Sequence, residues 1–341
     1  MMKERLKIND NIKTAMMLTV VLYHSCMFFT GTWFDKTSPV FEANYIAVFA
    51  RYLNTFHVQT FTMASGFLFY ALKKEKGKYS NNIKGDIIKR AKRLLFPYFS
   101  TIIFWVLPFY IVFSGFNLGQ IIYKYVLGCS PSQLWFLPML FWLFVSAYFV
   151  FSKHKPNMIG LLLCILISIG GGDILDKIGC INILQIKTAL GYAMFYYLGT
   201  FLYEKNIKLS VKSTICFIVL SISGFTFSSW EIEKASFVIK LFEVLARNVG
   251  FISGVFMIYG IAVLLGNNIG MIGKIWKWLG VNSFGIYLFH QQLIYPCIMI
   301  LNGRVHPIIQ VFLSFFIAVV LSSMMTITLR KWKITSSIFY L

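Results

Sequence analysis

Apolar runs of about 20 residues recur from one end of this chain to the other, each long enough to cross the hydrocarbon of a bilayer. Nothing else in the sequence restricts the fold so strongly. Lipid offers no hydrogen bonds, so an open backbone crossing it satisfies its N–H and C=O groups within a helix. Only 13% of the residues are charged, against about 25% in an ordinary soluble domain. The runs predict an all-α, polytopic integral membrane protein of about ten transmembrane helices. They fall at 12–31, 45–72, 94–114, 134–152, 158–174, 187–203, 211–230, 240–266, 281–301 and 308–329. A single domain over 1–341 is expected, with no low-complexity tract. No short hydrophobic stretch with a small-residue cleavage site stands alone at the N-terminus, so the first span is expected to act as its own insertion signal.

The net charge of +20 invites a nucleic-acid reading. A soluble nucleic-acid binder gathers its basic residues on one folded face. Here they fall in the short segments between apolar runs, in every second segment. One set holds Lys3, Arg5 and Lys7, the stretch Lys73 to Arg93, Lys153 and Lys155, Lys205, Lys208 and Lys212, Lys274 and Lys277, and Arg330, Lys331 and Lys333. The other set holds only Lys36, Lys124, Lys177, Lys187, Lys234, Lys240 and Arg304. The charge therefore orients the chain, with both termini cytoplasmic and the plasma (inner) membrane as its site, and no nucleic-acid partner is expected.

The largest soluble piece, 73–93, is too small for a domain, which argues against a membrane sensor. Its end, DIIKRAKRLLF, reads as an interfacial helix leading into the third span. Cys26, Cys164, Cys216 and Cys297 read as small hydrophobes. Cys129 and Cys180 share the outer side, where a disulfide is open to them. No metal spacing is present, and no metal is expected.

Titratable groups inside spans are expensive, and each is a functional candidate by default. They are Lys13, His24, Arg51, His57, Glu243, Arg247 and His290. Lys13 and His24 are eleven residues apart, about 1100° of rotation, so they share one stripe roughly 16 Å apart along the axis. The second span returns antiparallel and brings His57 to a similar depth. Each histidine also has a plain reading as an interhelical hydrogen bond, and Lys13 one as a snorkelling side chain. Ser65 and Gly66 are open to packing or to a site. Arg51 and the i,i+4 pair Glu243/Arg247 read as ion pairs that neutralise buried charge.

Five motifs in order then resemble one family, the integral-membrane acyltransferase-3 family, along essentially the whole chain. A basic residue, ten residues and a histidine are Lys13 and His24. A phenylalanine-rich run to Ser-Gly-Phe is Phe56 through Ser65-Gly66-Phe67, and it includes His57. Arg-x-x-Arg before Pro-Tyr is Arg90, Arg93, Pro97 and Tyr98. Trp-Phe-Leu is Trp135-Phe136-Leu137, and Ser-x-x-x-Tyr-x-x-His is Ser283, Tyr287 and His290. Two departures stand out. Lys13 occupies a position often held by arginine and lacks its planar fork. Gln59 stands where proline is frequent, so the local kink is expected to be absent.

The resemblance implies an enzyme that O-acylates sugars from cytoplasmic acyl-coenzyme A, acetyl-CoA first among the donors. On that basis Arg90 and Arg93 hold the donor's phosphates. His24 is the general base, and Lys13 meets the donor or its developing oxyanion. His57, Ser65, Trp135, Tyr287 and His290 are substrate-facing or supporting residues. The expected partners are an acyl-CoA co-substrate, a carbohydrate acceptor and the lipid bilayer, with no bound cofactor and no oligomeric state legible. A glycolipid or polysaccharide transporter with the histidines as proton relay is the rival, although no inverted repeat supports it.

Overall fold

The computed structural model describes residues 2–31, 37–79, 82–229, 237–265 and 273–341. Lys36 and Lys234, and the last residues of the spans expected to end at 230 and 266, lie outside these. Among the described residues every regular element is a helix. In chain order they are α1 (Met2–Met27), α2 (Asn44–Asn54), α3 (His57–Lys76), α4 (Ile83–Thr101), α5 (Leu107–Ser114), α6 (Leu118–Ile121) and α7 (Phe136–Lys153). Then follow α8 (Met158–Lys177), α9 (Ile186–Lys205), α10 (Val211–Ser228), α11 (Phe237–Leu265), α12 (Gly273–Leu301), α13 (Pro307–Arg330) and α14 (Lys333–Phe339).

Eight stretches among the described residues are long and apolar enough to cross a membrane. They are α1, the continuous α4–α5 stretch, α7, α8, α10, α11, α12 and α13. The chain is thus an all-α, multi-pass membrane protein. The two remaining expected spans are present as helices but fall short of that measure. One is α9, rich in tyrosine and buried over most of its length. The other, 45–72, is broken into α2 and α3.

That break corrects the expectation drawn from Gln59. The chain leaves helical geometry at Phe56, where φ is −136°, without a proline. Side chains take over two of the carbonyls that the break releases. His57 Nδ1 donates to Leu53 O at 2.7 Å, and Gln59 Nε2 donates to Asn54 O at 3.2 Å. The basic stretch leads into the third span as one continuous helix. Asn82 caps α4 by accepting from Gly85 N at 2.8 Å, and the helix then runs from Ile83 through Pro97 without interruption. Lys, Arg and Leu are good helix formers, so nothing at the basic–apolar boundary stops it. A π-helical turn over Ile102–Val106 joins α4 to α5.

Around the central α1 pack α2, α3, α11, α12 and α13, while α9 joins α3 to α7 and α8. The α3–α9 contact is the closest of these. A Cβ on Gly66 would sit 2.0 Å from Tyr196 O, and one on Gly199 would sit 1.9 Å from Met63 O. Glycine at both positions lets the two backbones touch. Three apolar clusters form, one around α3, α7 and α9, one around α1, α2, α12 and α13, and one around α4 and the middle of α12. The cavity described next lies among them.

Candidate active site

A cavity of about 760 Å³ is enclosed by α1, α3, α4, α7, α9 and α12, with the end of α13 at its rim. One end is basic and the other carries the histidines. At the basic end stand Lys13 from α1, Arg90 and Arg93 from α4 and Arg330 from the last residue of α13. No Asp or Glu lines the cavity among the described residues. Arg90 lies over the Phe144 ring at 4.1 Å, and its Nη2 donates to the Tyr79 hydroxyl at 3.3 Å. Stacking holds the guanidinium plane in place while leaving part of its donor set for a ligand. Arg330 is fixed by donating to Asn282 Oδ1 and to Val281 O, both at 2.8 Å.

Three helical turns from Lys13 along α1, about 16 Å, the same cavity meets His24. The shared stripe expected from their spacing is therefore real. His57 lines the cavity too, and the Tyr23 ring stands between the imidazoles, 5.1 Å from His24 and 4.7 Å from His57 by centroids. The antiparallel return expected of 45–72 brings the two histidines to one level despite the break.

His290 does not line the cavity but stands directly behind His24. Its Nδ1 faces Ile286 O at 3.0 Å and Tyr287 O at 2.9 Å, and its Nε2 faces His24 Nδ1 at 3.1 Å. Carbonyls only accept, so in the neutral ring the His290 hydrogen is on Nδ1 and its Nε2 is an acceptor. His24 Nδ1 faces that acceptor and also Val20 O at 3.0 Å, so it carries the hydrogen of the His24 ring. Both arrangements fix one tautomer of His24, in which Nε2 is the basic nitrogen. A histidine hydrogen-bonded in this way is what a general base needs in order to stay aligned.

The remaining sequence candidates collect around this end. Tyr287 donates from its hydroxyl to Gln133 O at 2.6 Å. Gln133 in turn donates from Nε2 to Leu288 O at 3.0 Å and to Gln292 Oε1 at 2.8 Å. This ties the one-turn helix Ser132–Trp135 to α12 and sets Trp135 against Tyr192, 5.6 Å between ring centroids. Ser65 lines the cavity midway, with its hydroxyl donating to Phe61 O at 3.0 Å. Its neighbour Gly66 faces the other way, onto α9, so the Ser-Gly pair divides into one cavity residue and one packing residue.

Arg330 and Gln133 were not among the residues the sequence singled out for chemistry. Arg330 reads there as one more orienting charge, and Gln133 carries no signal beyond lying two residues before Trp135. Among the described residues Arg51, Glu243 and Arg247 form no ion pair, and the ion pairs are Lys74–Glu204, 2.7 Å apart, and Lys187–Asp176. Arg51 is exposed at the end of α2, and Arg247 is exposed on α11. All six cysteines, Cys129 and Cys180 included, are free thiols. Among the described residues no group of three or more His, Cys, Asp and Glu comes together as a metal site.

The fold is a helical bundle built for a membrane, with an oriented histidine at one end of its cavity and four cations at the other. A family model described as an acyltransferase domain matches residues 9–327, and the chain belongs to that acyltransferase-3 family. It is a membrane acyltransferase. No curated protein and no solved structure shows significant similarity to the chain.

Proposed function

We propose that this protein is an O-acetyltransferase of the plasma membrane, moving acetyl from acetyl-CoA to a hydroxyl of a surface polysaccharide or its lipid-linked precursor. In this reading the chain crosses the membrane ten times with both termini in the cytoplasm. The basic end of the cavity then faces the cytoplasm, since the loops flanking Lys13, Arg90 and Arg330 carry most of the basic residues. The donor's phosphates sit among Lys13, Arg90, Arg93 and Arg330, and its extended arm carries the thioester along the cavity to His24. His24 Nε2 takes the proton of the acceptor hydroxyl as that oxygen attacks the thioester carbonyl. The tetrahedral intermediate expels the thiolate of coenzyme A, which takes the same proton back from the imidazolium. His290 holds His24 in the required tautomer, and Trp135, Tyr287 and His57 line the acceptor side.

The observation that supports this reading is the His290–His24–Val20 arrangement at one end of a cavity whose other end gathers four cations and, among the described residues, no carboxylate. A proton-relay transporter also uses buried histidines, but it has no need of four cations gathered in one cavity. The test is transfer of label from labelled acetyl-CoA to polysaccharide in membranes that contain the wild type or His24→Ala. We expect label with the wild type, and at least a hundredfold less with His24→Ala at equal amounts of folded protein. Transfer undiminished in His24→Ala would sink the assignment, and translocation of glycolipid without any transfer would establish the transporter instead.

A further inference from the structure

A second cavity, of about 230 Å³, lies between α8 and α9 on one side and α11 on the other, with α3 behind it. Three of its lining groups bear on what it could hold. Arg247 is a cation within a membrane-spanning stretch and forms no ion pair among the described residues. Gln59 is buried, its Nε2 is committed to Asn54 O, and its Oε1 accepts no hydrogen bond. Asn248 uses its Nδ2 on Val244 O within its own helix, so its Oδ1 is what it has to offer a ligand. A charged residue in a span, and a buried acceptor without a donor, are both retained at a cost in stability. The cavity therefore suits a ligand that brings an anion to Arg247 and a hydroxyl donor to Gln59, with Asn248 Oδ1 as a second acceptor beside it.

Its position says from where such a ligand arrives. α8 has no buried residue, and α11 leans on α10 and α3 rather than on α8. The cleft between them thus opens sideways into lipid. On its inner side the wall is Tyr192, which also lines the histidine cavity and meets Trp135 there. A volume of 230 Å³ corresponds to about seven or eight waters at liquid density, enough for a phosphate and much of a sugar ring.

We propose that this lateral cleft seats the phosphate and first sugar of a lipid-anchored glycosyl phosphate. Arg247 pairs with the phosphate, Gln59 Oε1 accepts from a sugar hydroxyl, and the lipid tail lies outside between α8 and α11. The inference rests on the acetyltransferase reading only in making that lipid the acceptor, held here before its sugar passes Tyr192 into the main cavity; the binding itself is independent of it. Tyr192 then separates the docked head group from His24.

The test measures binding of a short-chain prenyl phosphoglucose to the purified full chain in phosphatidylcholine nanodiscs, by native mass spectrometry and calorimetry. Glucose 1-phosphate and octyl glucoside serve as the probes without the lipid and without the phosphate. We expect the prenyl phosphoglucose to bind at least tenfold more tightly than either. Arg247→Gln and Gln59→Leu should each weaken it tenfold or more, and Arg247→Lys, which keeps the charge, should weaken it less. His24→Ala should leave binding unchanged while abolishing transfer. Equal binding of octyl glucoside overturns the phosphate site, and equal binding of glucose 1-phosphate overturns entry from lipid. Unchanged binding in Arg247→Gln removes the cleft but leaves the enzyme reading intact. Binding that depends on Arg247 in a protein without transferase activity keeps the cleft and removes the enzyme reading.

Discussion

The contact between α3 and α9 can be tested with a single methyl group. Gly66→Ala would place a Cβ 2.0 Å from Tyr196 O and 2.8 Å from Tyr196 C, and all three of its nearest neighbours are backbone. Carbon and oxygen in comfortable contact are about 3.5 Å apart, so the two helices must separate by roughly 1.5 Å. No flexible side chain can absorb the overlap. Overpacking of this kind costs about 1–3 kcal/mol, which for a bundle of this size lowers Tm by several degrees. The same displacement moves Ser65 and Tyr196, both of which line the main cavity, relative to His24. A shift of about 1 Å in such a site is worth roughly a hundredfold in rate. Thermal unfolding of the purified protein in detergent, read beside transfer from labelled acetyl-CoA, separates the two effects. Gly199→Ala meets Met63 O at 1.9 Å and should behave alike, because it closes the same gap from the opposite helix. If Gly66→Ala keeps both the wild-type Tm and the wild-type rate, the helices are not in backbone contact and the argument fails.

His290→Leu removes the acceptor behind His24, so that its Nδ1 keeps Val20 O but loses His290 Nε2. Its kcat should fall roughly tenfold to a hundredfold, with KM for acetyl-CoA unchanged, and His290→Gln, which restores an acceptor, should recover part of the loss. A change confined to KM would count against a positioning role. Arg90→Ala and Arg330→Ala should each raise KM for acetyl-CoA by roughly tenfold or more, the equivalent of one charge-assisted hydrogen bond of about 1.5–3 kcal/mol. Arg90→Lys should recover little, because lysine cannot stack on Phe144 as a plane; equal KM in all three variants would remove the phosphates from this end of the cavity.

Hydropathy was enough to read the helices, because each apolar run reports on its own length and its own charges. Spacing along α1 was enough to put Lys13 and His24 on one stripe, since rotation per residue is a property of the single helix. The motif residues were legible for the same reason, each being a short pattern within one element. The break at Phe56 was not, because it depends on what His57 and Gln59 do with the carbonyls of Leu53 and Asn54, and no proline announces it. Nor was Arg330, which in sequence is one charge among several at a helix end and in space is the fourth cation of the cavity.

What the sequence by itself determined is the all-helical class, its apolar spans and the motifs of its family. Which faces meet was decided only by the tertiary structure. In a membrane, helix neighbours and lipid tails are equally apolar, so an apolar face does not record whether it touches one or the other. The meeting of His24 with His290, 266 residues apart, the pairing of Gly66 with α9, and the lack of an ion pair for Arg247 among the described residues all follow from packing between helices. They fix the tautomer of His24, the width of the cavity and the charge of the lateral cleft.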